Sequence, residues 1–343
     1  MIEFGFEMFW YIIFAVAIAN YAMLDGFDLG VGMLHLFVRE DKERRIFLNA
    51  IGPVWDGNEV WLIIVLGGML AGFPLAYATL LSSFYIPVIV LITALIFRAV
   101  AIEFRSKRPM LWWRSLWDYC FALGSFLIAF GVGCALGNLV QGIPIDVAHT
   151  YRGGIVLTFL RPYPVLVGLL TIALFLLNGT LYLVMKTEGI LLEKMKLWVV
   201  RVLILYIMFY VGTTMVTLIY QQHIVERFRE VPYLFAIAVA NMLCIAHIPR
   251  LVVKGCYGWA FLHSMANIGF LVALFACGMF PVLLRSTLDT AFSLTILNAA
   301  ASVKTLIVLA IIVAIGLPLV IIYMGWVYRI FRGKVIIDEH HSY

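Results

Sequence analysis

Long stretches of this sequence carry no charged side chain, and they limit the possible folds more than any other feature. The run 60–97 holds 38 consecutive residues without Asp, Glu, Lys or Arg. About 20 apolar residues are enough for a helix that spans a bilayer. The chain is therefore predicted to be a polytopic membrane protein. Further runs of this kind are 8–24, 119–145, 162–185, 202–222, 231–249, 255–284 and 305–328.

The number of spans follows from these runs. The run 60–97 is long enough for two helices, and the residues 71–74 (Ala-Gly-Phe-Pro) predict a break, because proline cannot continue the helical hydrogen-bond ladder. The count is then about nine transmembrane helices, and we expect two four-helix bundles plus one extra helix. The runs do not alternate as barrel strands do, so the fold class is predicted to be all-α.

Composition excludes several functional classes. Hydrophobic residues make up 64% of the chain and charged residues 13%, whereas soluble domains are usually about half apolar and about a quarter charged. This excludes a water-soluble enzyme, a disordered chain and a free nucleic-acid binder. The five cysteines form no CxxC pair, so we interpret them as small buried hydrophobes and expect no metal site.

The domain organisation is predicted from the same runs. We expect one integral-membrane domain over 1–343 without a separate soluble domain. Within it, 1–142 forms an N-terminal helical bundle, 160–284 a second bundle, and 305–330 the final helix. The segment 285–304 is amphipathic, and we expect it to lie along the membrane surface.

The basic residues predict the orientation. If the N-terminus lies outside, 18 of the 24 Lys and Arg residues fall in the inward segments. Because cytoplasmic loops carry an excess of Lys and Arg, this distribution predicts an outside N-terminus and a cytoplasmic C-terminus. The N-terminus has no basic region of the kind that begins a signal peptide, so the first run is interpreted as a retained helix.

Charged side chains gather near the predicted inner ends of the first helices. Asp25 and Asp28 are three residues apart and share a helix face, and Asp56 and Glu59 repeat this spacing. A charged residue within a span costs roughly 2.5–3.5 kcal/mol. A buried guanidinium needs a carboxylate, so Arg98 is expected to pair with Asp28 or Asp25.

The acidic cluster has two interpretations from the residues alone. One is a structural ion-pair network that locks the first three helices together. The other is a route for protons from the cytoplasm, in which Asp56 is the best candidate, because Trp55 and Trp61 would shield it. Gly26 and Gly30 are four residues apart, which favours close approach of another helix backbone.

Two histidines fall within predicted helices. His247 and His263 belong to the runs 231–249 and 255–284. Haem ligation would need them to face each other at one depth, and we interpret them instead as hydrogen-bonded or interfacial side chains. No metalloprotease motif, phosphate-binding loop or dinucleotide fingerprint occurs.

Several segments together resemble subunit II of the cytochrome bd quinol oxidases, including the cyanide-insensitive variants. The resemblance is densest over 20–142. The matching segments are 25–33 (DGFDLGVGM), 43–45 (ERR), 55–62 (WDGNEVWL), Phe97-Arg98, 104–107 (FRSK), Trp113-Arg114, Trp117-Asp118, 137–142 (GNLVQG) and 279–281 (MFP).

The resemblance implies a respiratory complex in the bacterial cytoplasmic membrane that oxidises quinol and reduces oxygen to water. It implies that haems b and d and the catalytic residues belong to a separate subunit I, with no catalytic residue in this chain. Small accessory subunits occur in the family, and some members hold a structural quinone in subunit II. This chain would support assembly, proton uptake and oxygen access.

The resemblance also implies roles for single residues. Asp56 is similar to the proton-route carboxylate, and Asp25 and Glu59 are added to that pathway; some relatives have glutamine in place of Glu59. Asp28 and Arg98 resemble a structurally required ion pair. Trp61 resembles a residue near an oxygen entrance.

Two alternatives stay open. A secondary transporter would carry its charged residues near the midplane on discontinuous helices, whereas here they lie near one interface. A purely structural membrane subunit would show the same composition without any role in proton transfer.

Overall fold

The computed structural model describes residues 5–154 and 156–335, which are almost entirely helical. The end of the segment 329–343 lies outside the described residues. The helices are α1 (Phe6–Leu34), α2 (Asp41–Ile51), α3 (Trp55–Gly72), α4 (Pro74–Ser83), α5 (Tyr85–Phe104), α6 (Leu111–Gln141), α7 (Pro162–Lys186), α8 (Gly189–Tyr220), α9 (Gln222–Glu230), α10 (Phe235–Val253), α11 (Tyr257–Met279) and α12 (Val303–Ile330).

The predicted number of spans is confirmed. Among the described residues, eight single helices are long and apolar enough to cross a membrane, and α2 with α3 forms a ninth span bent by 51°. α2 is the charged part of this bent pair, and α3 is the apolar part. The predicted all-α class holds for the part of the chain that the structure describes, apart from a short hairpin.

The structure corrects the predicted third helix. The run 74–97 is divided into α4 and α5, because Pro87 lacks the N–H that would bond to the carbonyl of Ser83. The Ser83 hydroxyl donates instead to the Thr79 carbonyl at 2.6 Å. The break at 71–74 was predicted correctly, with Pro74 at the first position of α4.

Four helices form the centre of the molecule. α1, α6, α7 and α11 pack against one another, α3 and α5 flank α1 and α6, and α8 and α10 flank α7 and α11. α12 packs mainly along α3 and α1, and its buried residues are Leu306 and Met324. The predicted two bundles and extra helix fit this packing, whereas the exact division at 142, 160 and 284 stays a prediction.

The central contact between α1 and α7 depends on glycine. A Cβ atom at Gly30 would lie 2.9 Å from the Cα of Gly179, and a Cβ atom at Gly179 would lie 2.6 Å from the backbone of Gly30. The two backbones therefore touch, as the spacing of Gly26 and Gly30 predicts. A Cβ at Gly26 meets the ring of Phe175 at 2.8 Å.

Basic side chains mark one end of the bundle, which we call the basic end. It comprises α2, the ends of α1, α5, α7, α10 and α12, and the starts of α6, α8 and α11. Lys194 of α8 bonds to Glu43 of α2 at 2.9 Å. Lys334, after α12, donates to the Thr187 carbonyl at 2.6 Å. These contacts join the helix ends into one surface.

The opposite end carries the only sheet among the described residues. Strands β1 (Val282–Leu284) and β2 (Leu294–Thr295) are antiparallel. They enclose residues 285–293, the first part of the segment 285–304, as a hairpin connection with one 3-10 turn. Its position at the membrane surface stays a prediction.

We predict that Gly30→Ala destabilises the protein. The added methyl group overlaps the backbone of α7, and overpacking of this kind costs typically 1–3 kcal/mol. Gly212→Ala, in α8, is the matched control, because a Cβ there meets nothing within 4 Å. Thermal unfolding of the detergent-purified protein should show a lower midpoint for Gly30→Ala only. Equal midpoints for both variants would contradict the contact.

Candidate functional site

Arg98 and Asp25 form a buried ion pair between α5 and α1. Arg98 Nη2 donates to Asp25 Oδ1 at 2.5 Å, and Nη1 donates to Oδ2 at 3.1 Å. Both side chains are 0% exposed. The two parallel bonds match the fork of a guanidinium to both oxygens of one carboxylate, which is the strongest arrangement of such a pair.

The predicted pairing of Arg98 with Asp28 is wrong, because Arg98 pairs with Asp25. Arg98 is committed to Asp25, and the bond to Asp28 comes from Asn58 of α3, whose Nδ2 donates to Asp28 Oδ2 at 2.7 Å. Asp28 Oδ1 is buried and makes no hydrogen bond. The sequence could not decide between Asp25 and Asp28 as the partner of Arg98, because both lie on one helix face. Arg98 has room for only one bidentate partner.

Glu59 joins the cluster from α3. Its Oε2 lies 3.9 Å from Arg98 Nη1, and its side chain is 20% exposed. In the described part of the chain, the ion pairs of this acidic cluster involve one cation, Arg98, for the carboxyl groups of Asp25, Asp28 and Glu59. A cluster with three carboxyl groups and one guanidinium reaches neutrality only when it also holds protons.

Asp56 lies outside this buried group. It is in the first turn of α3 and exposed. The expectation that Trp55 and Trp61 shield it is wrong, because the side chain of Asp56 points to the surface while Trp61 lies inside. Asp56 and Glu59 still share one face, so an exposed carboxyl group precedes a half-buried one by one helical turn.

Trp61 is a buried residue of the α1–α3 contact. It is 5% exposed and packs with Ala17 and Tyr21. Its indole N–H has no hydrogen-bond partner. The side chain therefore lies within the wall between helices and not at a surface opening.

A second ion-pair network lies nearer the basic end. Asp118 of α6 accepts bonds from His35 Nε2 at 2.5 Å, Arg105 Nε at 2.5 Å and Arg44 Nη1 at 2.6 Å. Arg105 also bonds to Asp41 of α2 at 2.8 Å. Asp118 was named from the sequence, but His35 was missed. The charged residues near the ends of α1 and α6 were a signal that His35 could take part in an ion-pair network.

The two histidines within helices do face each other. His247 Nδ1 and His263 Nε2 are 3.2 Å apart, and His263 Nδ1 lies 2.8 Å from the Trp259 carbonyl. The carbonyl needs a proton on His263 Nδ1, so His263 Nε2 accepts from His247. The interpretation as hydrogen-bonded side chains fits this geometry.

An apolar cavity of about 450 Å³ lies between α1, α3, α5, α6 and α11, toward the opposite end from the acidic cluster. Phe14, Leu62, Phe130 and Val272 contribute to its lining. Tyr21 also lines it, and the buried Tyr21 hydroxyl makes no hydrogen bond. The cavity therefore combines an apolar wall with the buried phenol of Tyr21.

Two titratable groups at the opposite end, His223 and Asp146, are each held in one protonation state. Burial lowers the pKa of His223 to about 4, and the nearby Arg285 adds to the effect. Backbone bonds from Thr150 and the side chain of Arg152 lower the pKa of Asp146. His223 is thus neutral and Asp146 ionised near pH 7, so neither exchanges protons there.

Comparison with known proteins decides the family. A sequence model described as cytochrome bd terminal oxidase subunit II matches residues 6–331. The chain belongs to this family. It is 30% identical to cytochrome bd-I ubiquinol oxidase subunit 2 of Escherichia coli K12, over 96% of this chain and 95% of the relative. It is 32% identical to cytochrome bd ubiquinol oxidase subunit 2 of Bacillus subtilis 168, over 97% and 98%.

A solved structure agrees with the fold. The bd oxidase from Geobacillus thermodenitrificans contains a chain that superposes with a TM-score of 0.80 and 17% identity, covering 95% of this chain and 98% of that chain. At this identity the likeness shows the fold alone. Family membership makes the chain one subunit of a terminal oxidase complex, and it decides against the secondary transporter.

We predict that Asp25→Asn lowers the yield of folded subunit II far more than Asp28→Asn. Removing one partner of a buried ion pair costs about 3–5 kcal/mol, since the other charge stays buried. An asparagine at position 28 still accepts the bond from Asn58. Yield and melting temperature of the purified complex measure this. Equal losses, or a larger loss for Asp28→Asn, would show that Arg98 depends on Asp28 after all.

Proposed function

We propose that this chain is subunit II of a quinol oxidase that oxidises quinol and reduces oxygen to water in the bacterial cytoplasmic membrane. The support is membership of the family along nearly the whole chain. Haems b and d belong to subunit I, with which this chain pairs. Its own residues contribute assembly and proton uptake, and small accessory subunits and lipid cover further apolar faces.

The basic end faces the cytoplasm in this proposal, with the N-terminus outside and the C-terminus inside. Protons that are consumed in making water must come from the cytoplasmic side if the reaction is to build a membrane potential. The acidic cluster lies toward that end, because Asp28 and Arg98 are each about 9 Å along the helix from its final residue. Proton uptake through this chain therefore begins at the basic end.

The observation that carries the proton role is the excess of carboxyl groups over cations in the cluster. Asp56 is exposed and receives protons from water, and Glu59 is half-buried one turn further on. Asp25 is held as the partner of Arg98 and keeps that positive charge in place. The arrangement leads from the surface to a buried group that needs protons for neutrality.

We predict that Asp56→Asn and Glu59→Gln each lower the quinol-oxidase turnover of the complete complex while haem content stays normal. Loss of a group that transfers protons lowers rates typically by about 10²–10⁴-fold where it acts in the rate-limiting step. Because water can replace an exposed carboxylate, we expect the smaller loss for Asp56→Asn. Oxygen consumption and the haem absorption spectrum measure both quantities.

Glu193→Gln is the matched control. Glu193 is 68% exposed at the start of α8 and is paired with Lys196. It removes one carboxylate from the basic end without touching the cluster, so turnover should equal that of the wild type. Full turnover in both Asp56→Asn and Glu59→Gln would leave only the purely structural role.

The apolar cavity is the place that we propose for a structural quinone. Its walls are mostly aromatic and aliphatic, as an isoprenoid chain requires, and Tyr21, whose hydroxyl also interacts with Asp25, contributes a phenol to the wall. The residues therefore fit such a group. Tyr21 would hold the ring, and the walls would exclude water from the tail.

We predict that Gly131→Leu lowers the amount of quinone that co-purifies with the complex. Gly131 lines the cavity, and a Cβ there meets nothing within 4 Å, so a larger side chain fills the space. Gly212→Leu adds the same volume where a Cβ also meets open space on another helix. Extraction with organic solvent and quantification of quinone per haem measures the effect. Unchanged quinone in Gly131→Leu, or equal loss in both, would overturn the assignment.

An oxygen route past Trp61 is also part of the proposal. Tyr21 packs against Trp61, and both Tyr21 and Leu62 line the cavity. Because Trp61 is buried, it forms a wall of the route and not its mouth. A quinone in the cavity would occupy the same space, so the two roles compete.

A further inference from the structure

The last helix reaches the acidic cluster through one hydrogen-bonded chain. The Tyr328 hydroxyl of α12 donates to Asn58 Oδ1 at 2.8 Å, and Asn58 Nδ2 donates to Asp28 Oδ2 at 2.7 Å. Asn58 and Asp28 are both 0% exposed. Helices α1, α3 and α12 thus contribute one residue each to this series of hydrogen bonds.

This series of hydrogen bonds occupies one oxygen of Asp28 and leaves the other without a partner. Oδ2 is occupied by the Asn58 amide, whereas Oδ1 is buried without any hydrogen-bond partner. Arg98 does not fill this position, because its fork is bonded to Asp25. A buried ionised carboxylate without a cation is costly, so a proton on Oδ1 relieves the arrangement.

Contacts near the C-terminal end of α12 fix the position of Tyr328. Met324, one turn earlier, is buried against Gly57, where a Cβ would lie 2.9 Å from the Met324 sulfur. Lys186 donates to the Phe331 carbonyl at 2.6 Å, and the backbone N–H of Val335 donates to the Lys186 carbonyl at 2.9 Å. α12 is otherwise a peripheral helix, so these contacts hold the phenol in place.

We propose that Tyr328 and Asn58 are positioning residues for proton transfer at Asp28. Tyr328 holds the Asn58 amide with its N–H toward Asp28 Oδ2, and this leaves Asp28 Oδ1 as the atom that takes up and releases the proton. The inference rests on the proposed proton uptake and assigns its buried carrier. Asp28 is then a proton carrier and not the partner of Arg98.

The chemistry at Asp28 is a simple proton exchange. An O–H bond forms at Oδ1 when a proton arrives, and the carboxylate becomes a neutral carboxyl group. The same bond breaks when the proton leaves for the next acceptor, and the negative charge returns. No electrons move, and the amide of Asn58 keeps both of its protons, since it orients the carboxyl group without conducting through itself.

The test is Tyr328→Phe in the complete oxidase reconstituted in lipid vesicles. The variant keeps the ring and removes the hydroxyl. We expect normal yield and haem content, a turnover that is lower by roughly fivefold, as the loss of one neutral hydrogen bond gives, and a larger solvent isotope effect in D₂O. The pH profile of turnover should also change, since Asp28 loses an oriented donor.

Two further variants make the test specific. Asn58→Leu should show the same changes, and the double variant should be no worse than Asn58→Leu alone, because Tyr328 acts through Asn58. If Asn58→Leu lowers the yield, Asn58→Ser replaces it in the cycle. Tyr323→Phe, on the exposed side of the same helix, is the matched control and should behave as the wild type.

The outcomes separate this inference from the proposed function. A wild-type pH profile and isotope effect in Tyr328→Phe, or additive losses in the double variant, would overturn the positioning role. If Glu59→Gln still lowers turnover in that case, proton uptake through the cluster stands and only the role of Tyr328 fails. If Tyr328→Phe, Glu59→Gln and Asp56→Asn all keep wild-type turnover, both proposals fail together.

Discussion

The bidentate bond between Arg98 and Asp25 determines how the rest of the acidic cluster is arranged. A guanidinium buried at 0% exposure needs a full carboxylate, and Asp25 provides both oxygens. Once this pair has formed, Asp25 already balances most of the charge of Arg98, and little of it is left to balance Asp28 and Glu59. The choice of partner for Arg98 thus decides which carboxyl group is held in an ion pair and which ones the proposed function assigns to proton exchange.

Close helix packing makes this arrangement possible. α1 carries both aspartates, and its contact with α7 through Gly30 and Gly179 fixes its rotation at the centre of the bundle. Because the backbones touch there, small shifts of α1 are excluded by sterics. The opposite face of α1 then meets α3, and Arg98 reaches Asp25 from α5, so Asp28 and Asp25 have partners on different helices.

Much of the fold could be predicted from the sequence, and less of the site. Apolar runs fix the number of spans because burial of apolar residues in lipid dominates their free energy. The partner of Arg98 could not be chosen, since Asp25 and Asp28 lie within one turn on one face. The bond between Asn58 and Tyr328 gave no signal, because both residues are uncharged and they are 270 positions apart. Charge patterns locate such a site, and only the packed structure assigns its bonds.

The two charged networks differ in how completely they are satisfied, and this difference separates structure from function. His35 follows Asp28 by seven residues, and Arg105 follows Arg98 by seven residues. The two networks therefore lie about 10 Å apart along the same helices. Asp118 accepts from three donors and has no oxygen left for a proton. A carboxylate in that state locks helix ends together. Asp28 has one oxygen without a partner, so the proton exchange that we propose is assigned to the deeper network.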